Sequence, residues 1–242
     1  MATARYLAMT GEEFAVLGHP PGKLGWMDCC FSQSDSGLEH LPPALPPDTL
    51  LILTDRVPFR GHDPSLISQQ LQQTVADTDC SVVLLDFEKP GKKELINLAS
   101  MLTSSLSCPV VVSDVYAKAI DCPVFLSPCP HHIHLHDHIA PWKGRELWLD
   151  LAKDAETITV TAEGSVISPL PGYDLPEGGH RDEDLHCHYW AEVKGNSVTF
   201  TLWRTADDLD ALAQKAEVLG VRKFIGLYQE LQKPPCFSAR RF

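Results

Sequence analysis

The chain has 242 residues, 44% of them hydrophobic, enough to bury one large core and within the usual size of an α/β barrel. Its formal net charge of -12, with no basic run and no interleaving of basic and aromatic residues, excludes nucleic acid and anionic membranes as partners. No stretch is long enough to span a bilayer and the first ten residues hold no signal-peptide core, so the expectation is one cytoplasmic domain over residues 1–242.

Residues 5–10 read as a first strand and 11–18 as a short helix closed by glycine. A second apolar run, 24–31, leads through a polar loop to the proline-rich connector 41–47, which excludes regular helix. Residues 50–55 form a third strand ending in Asp55. The spacing of Leu66, Ile67, Gln70, Leu71, Thr74 and Val75 predicts a helix over 65–77, which delivers the chain into a strand at 80–88. A second amphipathic helix follows at 94–106. The runs 109–115 and 123–127 are two further strands, joined by a connection too short for a long helix, and 146–151 is another. From 157 to 203 the texture changes to alternating, β-branched and aromatic stretches joined by turn signals such as Lys194-Gly195-Asn196, the mark of antiparallel hairpins. Thr205 then caps a helix over 206–219, Gly220 closes it, and 222–231 supplies a last strand tipped by Tyr228. The sum is an α/β fold, a (β/α)8 barrel with a small antiparallel insert over 157–203, between strand seven and the last helix.

The strand at 80–88 organises this reading. Val82 to Leu85 are four consecutive aliphatic residues, as in a strand buried on both faces of a parallel sheet, and the run ends in Asp86-Phe87-Glu88. At the period of two, Asp86 and Glu88 share a face at the strand's carboxyl end, the end where parallel α/β folds bind ligands. Two carboxylates side by side on an apolar strand carry a desolvation cost that a purely structural position avoids.

Three features together resemble glycoside hydrolase family 18, the chitinase-like barrels, in particular the branch of spore-cortex peptidoglycan hydrolases, of which this chain looks like a divergent member. They are the Asp86-Phe87-Glu88 strand end, similar to the tail of the family's D-x-x-D-x-D-x-E signature; the β-rich insert; and the unit 203–231, with an acidic pair, a helix, a glycine and an aromatic-tipped strand. The resemblance implies a glycosidase that cleaves N-acetylglucosamine-containing glycans of the chitin or peptidoglycan type by substrate-assisted retaining hydrolysis, with no cofactor. On that pattern Glu88 is the general acid and Asp86 orients the acetamido group. Tyr228, Asp55, Asp114, Trp142 and Tyr173 are the substrate-binding candidates. The signature's first two acids fall at Ser81 and Leu84, and the sixth strand ends in Ser127-Pro128 without the family's tyrosine. The alternative implied by those departures is an inactive barrel that binds a glycan or a protein.

The tract His131-His132-Ile133-His134-Leu135-His136-Asp137-His138 carries a rival reading. As a strand it aligns His132, His134, His136 and His138 on one face, a ligand set for a metal-dependent hydrolase; as an exposed loop it binds no metal of consequence. The eight cysteines include Cys80, Cys108 and Cys122 beside apolar strands, which reads as reduced, buried thiols. The adjacent Cys29-Cys30 and the lack of Cys-x-x-Cys argue against a structural zinc site.

Overall fold

The computed structural model of the protein describes residues 3–18, 20–34, 36–170, 175, 176 and 178–231. The chain divides into two compact units. The first, residues 1–127, 142–150 and 220–226, is built on eight parallel strands: β1 (Ala4–Met9), β2 (Lys23–Trp26), β3 (Leu50–Thr54), β4 (Val82–Asp86), β5 (Val110–Ser113), β6 (Val124–Leu126), β7 (Leu147–Asp150) and, last in the chain, Lys223–Leu227. Each pairs with the next and the last pairs with β1, while β2 also pairs with β3, so the ring is closed. This is the (β/α)8 barrel that the sequence predicts.

Closure turns the period of two into an inside and an outside. Tyr6 and Ala8, Leu50 and Ile52, Val82 and Leu84, with Val111, Phe125, Trp148 and Ile225, form one buried cluster. These are alternate residues of successive strands, so they fill the barrel's interior. The intervening residues, such as Leu51, Val83 and Leu85, are equally buried on the other face, which explains why the strands read as unbroken aliphatic runs. Helices α1 (Gly11–Leu17), α2 (Pro64–Thr78), α3 (Lys93–Ser105) and α4 (Asp114–Ala117) connect the early strands. Helix α2 starts where its sequence says it should: Asp63 Oδ1 accepts from Ser65 N, and Pro64 occupies the first turn. The run expected as one strand at 24–31 is split. β2 stops at Trp26, and Cys30–Phe31 pairs instead with Leu38–Glu39 in a two-residue ladder, Cys30 facing Thr54 of β3.

The second unit comprises residues 128–141, 151–219 and 227–242. Its sheet holds β8 (Ala155–Thr161), β9 (Gly164–Pro169), β10 (His180–Asp182), β11 (Cys187–Lys194) and β12 (Ser197–Trp203), all antiparallel, in the order β9-β8-β12-β11-β10. The antiparallel hairpins expected over 157–203 are present, the sheet running from Ala155 to Trp203. Gly195 sits at φ 59 in the β11–β12 turn, a conformation open to glycine at no steric cost. Helices α5 (Leu135–Ile139), α6 (Ala206–Val218) and α7 (Tyr228–Leu231) complete the unit. Thr205 caps α6 in a box with Asp208. The last strand ends at Leu227, and Tyr228 opens α7 rather than tipping the strand. The seven described cysteines are free thiols. No helix among the described residues is long and apolar enough to cross a membrane.

Candidate active site

Continuing the interior alternation by one step past the core brings Thr54, Asp86, Ser113 and Asp150 to the carboxyl end of the barrel, on the inward face. Asp86 closes β4 in register with Thr54. It has no hydrogen bond from a described side chain; instead, burial first, and with it the charges of Glu88, Asp55 and Asp114, together push its carboxyl up to about 7. An acid at the mouth of an apolar barrel, surrounded by like charges, keeps its proton near neutral pH.

Phe87 turns the other way. It is fully buried, with its ring 5.7 Å from Phe31 and 6.1 Å from Tyr116, and it pins the backbone between the two acids. Ser113 Oγ donates to Phe87 O at 2.7 Å, and the Tyr116 hydroxyl donates to Lys89 O. Beyond Phe87 the chain leaves the strand, and Glu88 is exposed. The apolar surroundings of this strand end therefore enclose Asp86, while Glu88 stands outside them.

Asp55 plays a different part from the substrate contact expected of it. It is 3% exposed, and its two carboxylate oxygens accept from Glu88 N and Lys89 N, each at 3.1 Å, while Lys89 Nζ donates to its carbonyl at 2.8 Å. A carboxylate whose oxygens are both committed to the backbone holds a loop rather than a sugar. Asp114 accepts from Ser127 Oγ at 2.9 Å and opens α4. Trp142 is buried, with the Arg145 guanidinium 5.8 Å from its ring, so it offers little face to a ligand. Tyr228 starts α7 in the second unit, and Tyr173 lies outside the described residues. Asp150, which closes β7 opposite Ile225, is an acid the sequence reading passed over. Its signal was the one that singled out Asp55 and Asp86, an acid ending an apolar strand.

After β3 the segment 55–62 borders a cavity of about 360 Å³ lined by Ser32, Gln33, Arg56, Val57, Pro58, Arg60 and His62. Arg56 is anchored, donating to Asp28 O at 2.6 Å, and His62 is buried with its Nε2 2.9 Å from Ser32 O. Arg60 is exposed and brings a second cation to the cavity of a chain that is otherwise acidic.

The histidine tract is not a strand. Residues 131–134 form a turn and 135–139 are α5, because Pro128 and Pro130 break the extension and His134 begins a helix. Residues at i and i+2 of a helix diverge, so the one-face alignment of His132, His134, His136 and His138 is lost. His132 Nδ1 is taken by Glu156 Oε1 at 2.7 Å, His136 Nε2 lies 3.1 Å from Asp137, and the rings of His134 and His136 stack at 5.6 Å. His131 is 1% exposed, and burial and the charge of Arg204 push it down to about 3. It is therefore neutral despite Asp154 at 3.5 Å. Among the described residues, no three ligating atoms of the tract converge.

No protein-family model matches the chain, and no curated protein does. Solved structures do match in shape. The glycoside hydrolase family 18 N-acetylglucosaminidase of Paenibacillus barengoltzii superposes with a TM-score of 0.62 at 9% identity, over 95% of this chain and 97% of that one. The chitinase-like agglutinin of Robinia pseudoacacia gives 0.62 at 11% identity, over 94% and 95%. The spore cortex-lytic enzyme SleL of Bacillus megaterium gives 0.55 at 11%, over 96% of this chain and 71% of that one. The barrel is of the chitinase-like kind in fold.

Proposed function

We propose that the protein is a glycosidase acting on N-acetylglucosamine-containing glycans, with Asp86 and Glu88 as its acid pair. The observation that carries this reading is the Asp86 carboxyl, held up to about 7 at the carboxyl end of the barrel beside the exposed Glu88. Two interacting carboxyls share protons as a pair. At neutral pH the pair holds a proton it can spend on a leaving group, and Glu88 is the member that reaches solvent and so a glycosidic oxygen. Asp86, inside the mouth, is placed for the acetamido group of the bound sugar. It accepts the amide N–H as the acetamido oxygen attacks the anomeric carbon, and its negative charge grows as the proton passes to the leaving oxygen through Glu88. Asp55, Ser113 and Tyr116 keep the 86–89 backbone in place for that transfer. The names of the similar structures support the substrate class, since they include an N-acetylglucosaminidase and a spore cortex-lytic enzyme.

The arginine-lined cavity narrows the substrate class. Chitin is uncharged, whereas peptidoglycan carries lactyl and peptide carboxylates, and the exposed guanidinium of Arg60 is a carboxylate receptor. The peptidoglycan-type reading is favoured on that ground.

A second reading rests on two observations of its own. The chain matches an agglutinin with the same TM-score as it matches an enzyme. Leu84 also stands, fully buried in the barrel interior, where the family signature has an acid. A barrel with a glycan groove and no turnover fits both. Turnover of a chromogenic N-acetylglucosaminide or of peptidoglycan by the wild type, abolished in Glu88→Gln, establishes the enzyme; equal rates for the two proteins would remove it.

A further inference from the structure

The two-residue ladder beside β3 brings together three side chains of three ligand types. Cys30 and Glu39 are directly paired across it, and His40 follows at its end. A ligating atom of each, the Cys30 sulfur, a Glu39 carboxylate oxygen and a His40 ring nitrogen, lies within 4.8 Å of the others. We infer that Cys30, Glu39 and His40 form a binding site for a zinc-type divalent cation at the carboxyl end of the third barrel strand.

Four features of the site point the same way. The first is the thiol itself. Cys30 is 1% exposed and its sulfur makes no hydrogen bond to a described residue, so a polarisable donor is held in the interior facing the carboxylate and the imidazole. The second is orientation from behind. Ser32 Oγ at 2.8 Å and Gln33 N at 3.3 Å both donate to Glu39 Oε1, the outer support that metal-bound carboxylates receive. The third is the fixed backbone of His40, whose carbonyl accepts from Trp26 Nε1 at 3.1 Å and whose φ is 58. The fourth is fit. Zinc bonds sulfur at about 2.3 Å and nitrogen or oxygen at about 2.0–2.2 Å, which sets neighbouring donors roughly 3.3–3.8 Å apart in a tetrahedron. Closing from within 4.8 Å takes side-chain movements of about 1 Å.

A thiolate, an imidazole and a carboxylate suit zinc, and cobalt as its spectroscopic substitute; a hard cation such as magnesium or calcium has no use for the sulfur. Three protein ligands leave a fourth position for water or a ligand oxygen. Binding requires the Cys30 thiol to release its proton to solvent, so affinity rises with pH. Because Cys30 is register-paired with Thr54, and Thr54 with Asp86, the site lies beside the strand next to the acid-bearing one. The inference stands whether or not the barrel hydrolyses glycans.

The test uses the full chain, prepared without an affinity tag and stripped with a chelator. Zinc is titrated against a chromophoric competitor and cobalt is followed by absorption. One equivalent of zinc at sub-micromolar affinity is expected, with a near-ultraviolet thiolate-to-cobalt charge-transfer band that disappears in Cys30→Ser. His40→Asn keeps a residue that tolerates the left-handed backbone at an exposed position, so it tests the site without testing the fold; zinc affinity should fall about 10- to 100-fold or more. The triple change of His132, His134 and His136 to Ala should leave affinity and band unchanged. Absence of the charge-transfer band in the wild type would overturn the site, as would undiminished zinc affinity in both Cys30→Ser and His40→Asn, or loss of binding in the triple variant alone.

Discussion

Two regions of the chain concentrate ionisable side chains, and they resolve their charges in opposite ways. Around the histidine tract charges are paired or lost: His132 lies on Glu156, His188 Nδ1 lies 2.9 Å from Asp208, and His131, its buried ring nitrogens without a hydrogen bond to a described residue, is neutral under burial. At the mouth of the barrel one acid, Asp86, has no such partner among the described side chains. Asp86 faces Glu88, Asp55 and Asp114, all of its own sign, and keeps a proton in compensation. Satisfied networks rigidify a fold, whereas like charges crowded into a low-dielectric site destabilise it and are retained for chemistry. The contrast separates the two constellations better than composition does, since by composition the histidine tract was the more conspicuous.

Breaking the mouth should therefore abolish activity, and in one case raise stability. Glu88→Gln and Asp86→Asn should each lower kcat/KM by at least about 100-fold, the scale of a lost acid–base group. Asp86 also sets the pH dependence. The pair must hold a proton to protonate the leaving group, so kcat/KM should fall about tenfold per pH unit above about 7, a limb that is missing from whatever activity Asp86→Asn retains. For stability the sign is the reverse of the usual carboxylate. The folded value of about 7 lies above the ordinary carboxyl value of 3.8, so between them the folded chain binds more protons than the unfolded one. Its contribution is complete below the lower value and is lost as pH rises through the upper. Denaturation should show the wild type weakening by about 1–3 kcal/mol between pH 4 and pH 8 relative to Asp86→Asn. A flat difference would mean that the like charges are screened.

The second region should respond in stability and not in turnover. Arg204 is 4% exposed and donates to the carbonyls of Cys129, Leu185 and His186. Arg204→Met leaves three carbonyl acceptors unmet, that of Cys129 buried and those of Leu185 and His186 half-buried, and should cost about 2–4 kcal/mol by chemical denaturation.

Much of this was legible from residue order. The strands of the barrel announced themselves because both faces are buried, which makes each a continuous aliphatic run, and Asp86 stood out because it ends one. The same logic would have found Asp150 at the end of Leu147-Trp148-Leu149, had the acid been weighed there as it was at Asp55. What was hidden is what depends on contacts between segments. No local pattern says that the Asp55 carboxylate reaches 33 positions along the chain to hold Glu88 N, or that burial and like charges raise the Asp86 carboxyl. Cys30, Glu39 and His40 were equally invisible, because the search for zinc looked for a Cys-x-x-Cys spacing and the ligands are supplied by a cross-strand pair. The histidine tract misled in the other direction, its period of two being broken by the prolines that precede it.

The arginine-lined cavity offers a smaller and more discriminating change. Arg60→Ala removes one exposed guanidinium from its wall and touches none of the acids. On an uncharged chromogenic N-acetylglucosaminide its kinetics should match the wild type. On muropeptides bearing free carboxylates KM should rise about 5- to 20-fold with kcat unchanged, as for a charge-assisted contact made equally in ground and transition states. An equal effect on both substrates would assign Arg60 to the shape of the loop and withdraw the preference for acidic glycans.

The smallest effect is expected at His132, and it tests the contrast most directly. Its imidazole is 31% exposed and its partner Glu156 15%, so the pair is half in water and its removal should cost only about 0.5–1 kcal/mol. Turnover by His132→Ala should stay within about twofold of the wild type at every pH, because no reacting atom is assigned to the tract. A metal-activated water held there would behave differently: the same substitution would then take most of the activity with it, and added zinc would restore part of the loss. Because His132 is bound to a carboxylate from β8 and not to another histidine, the structural outcome is the one the geometry demands.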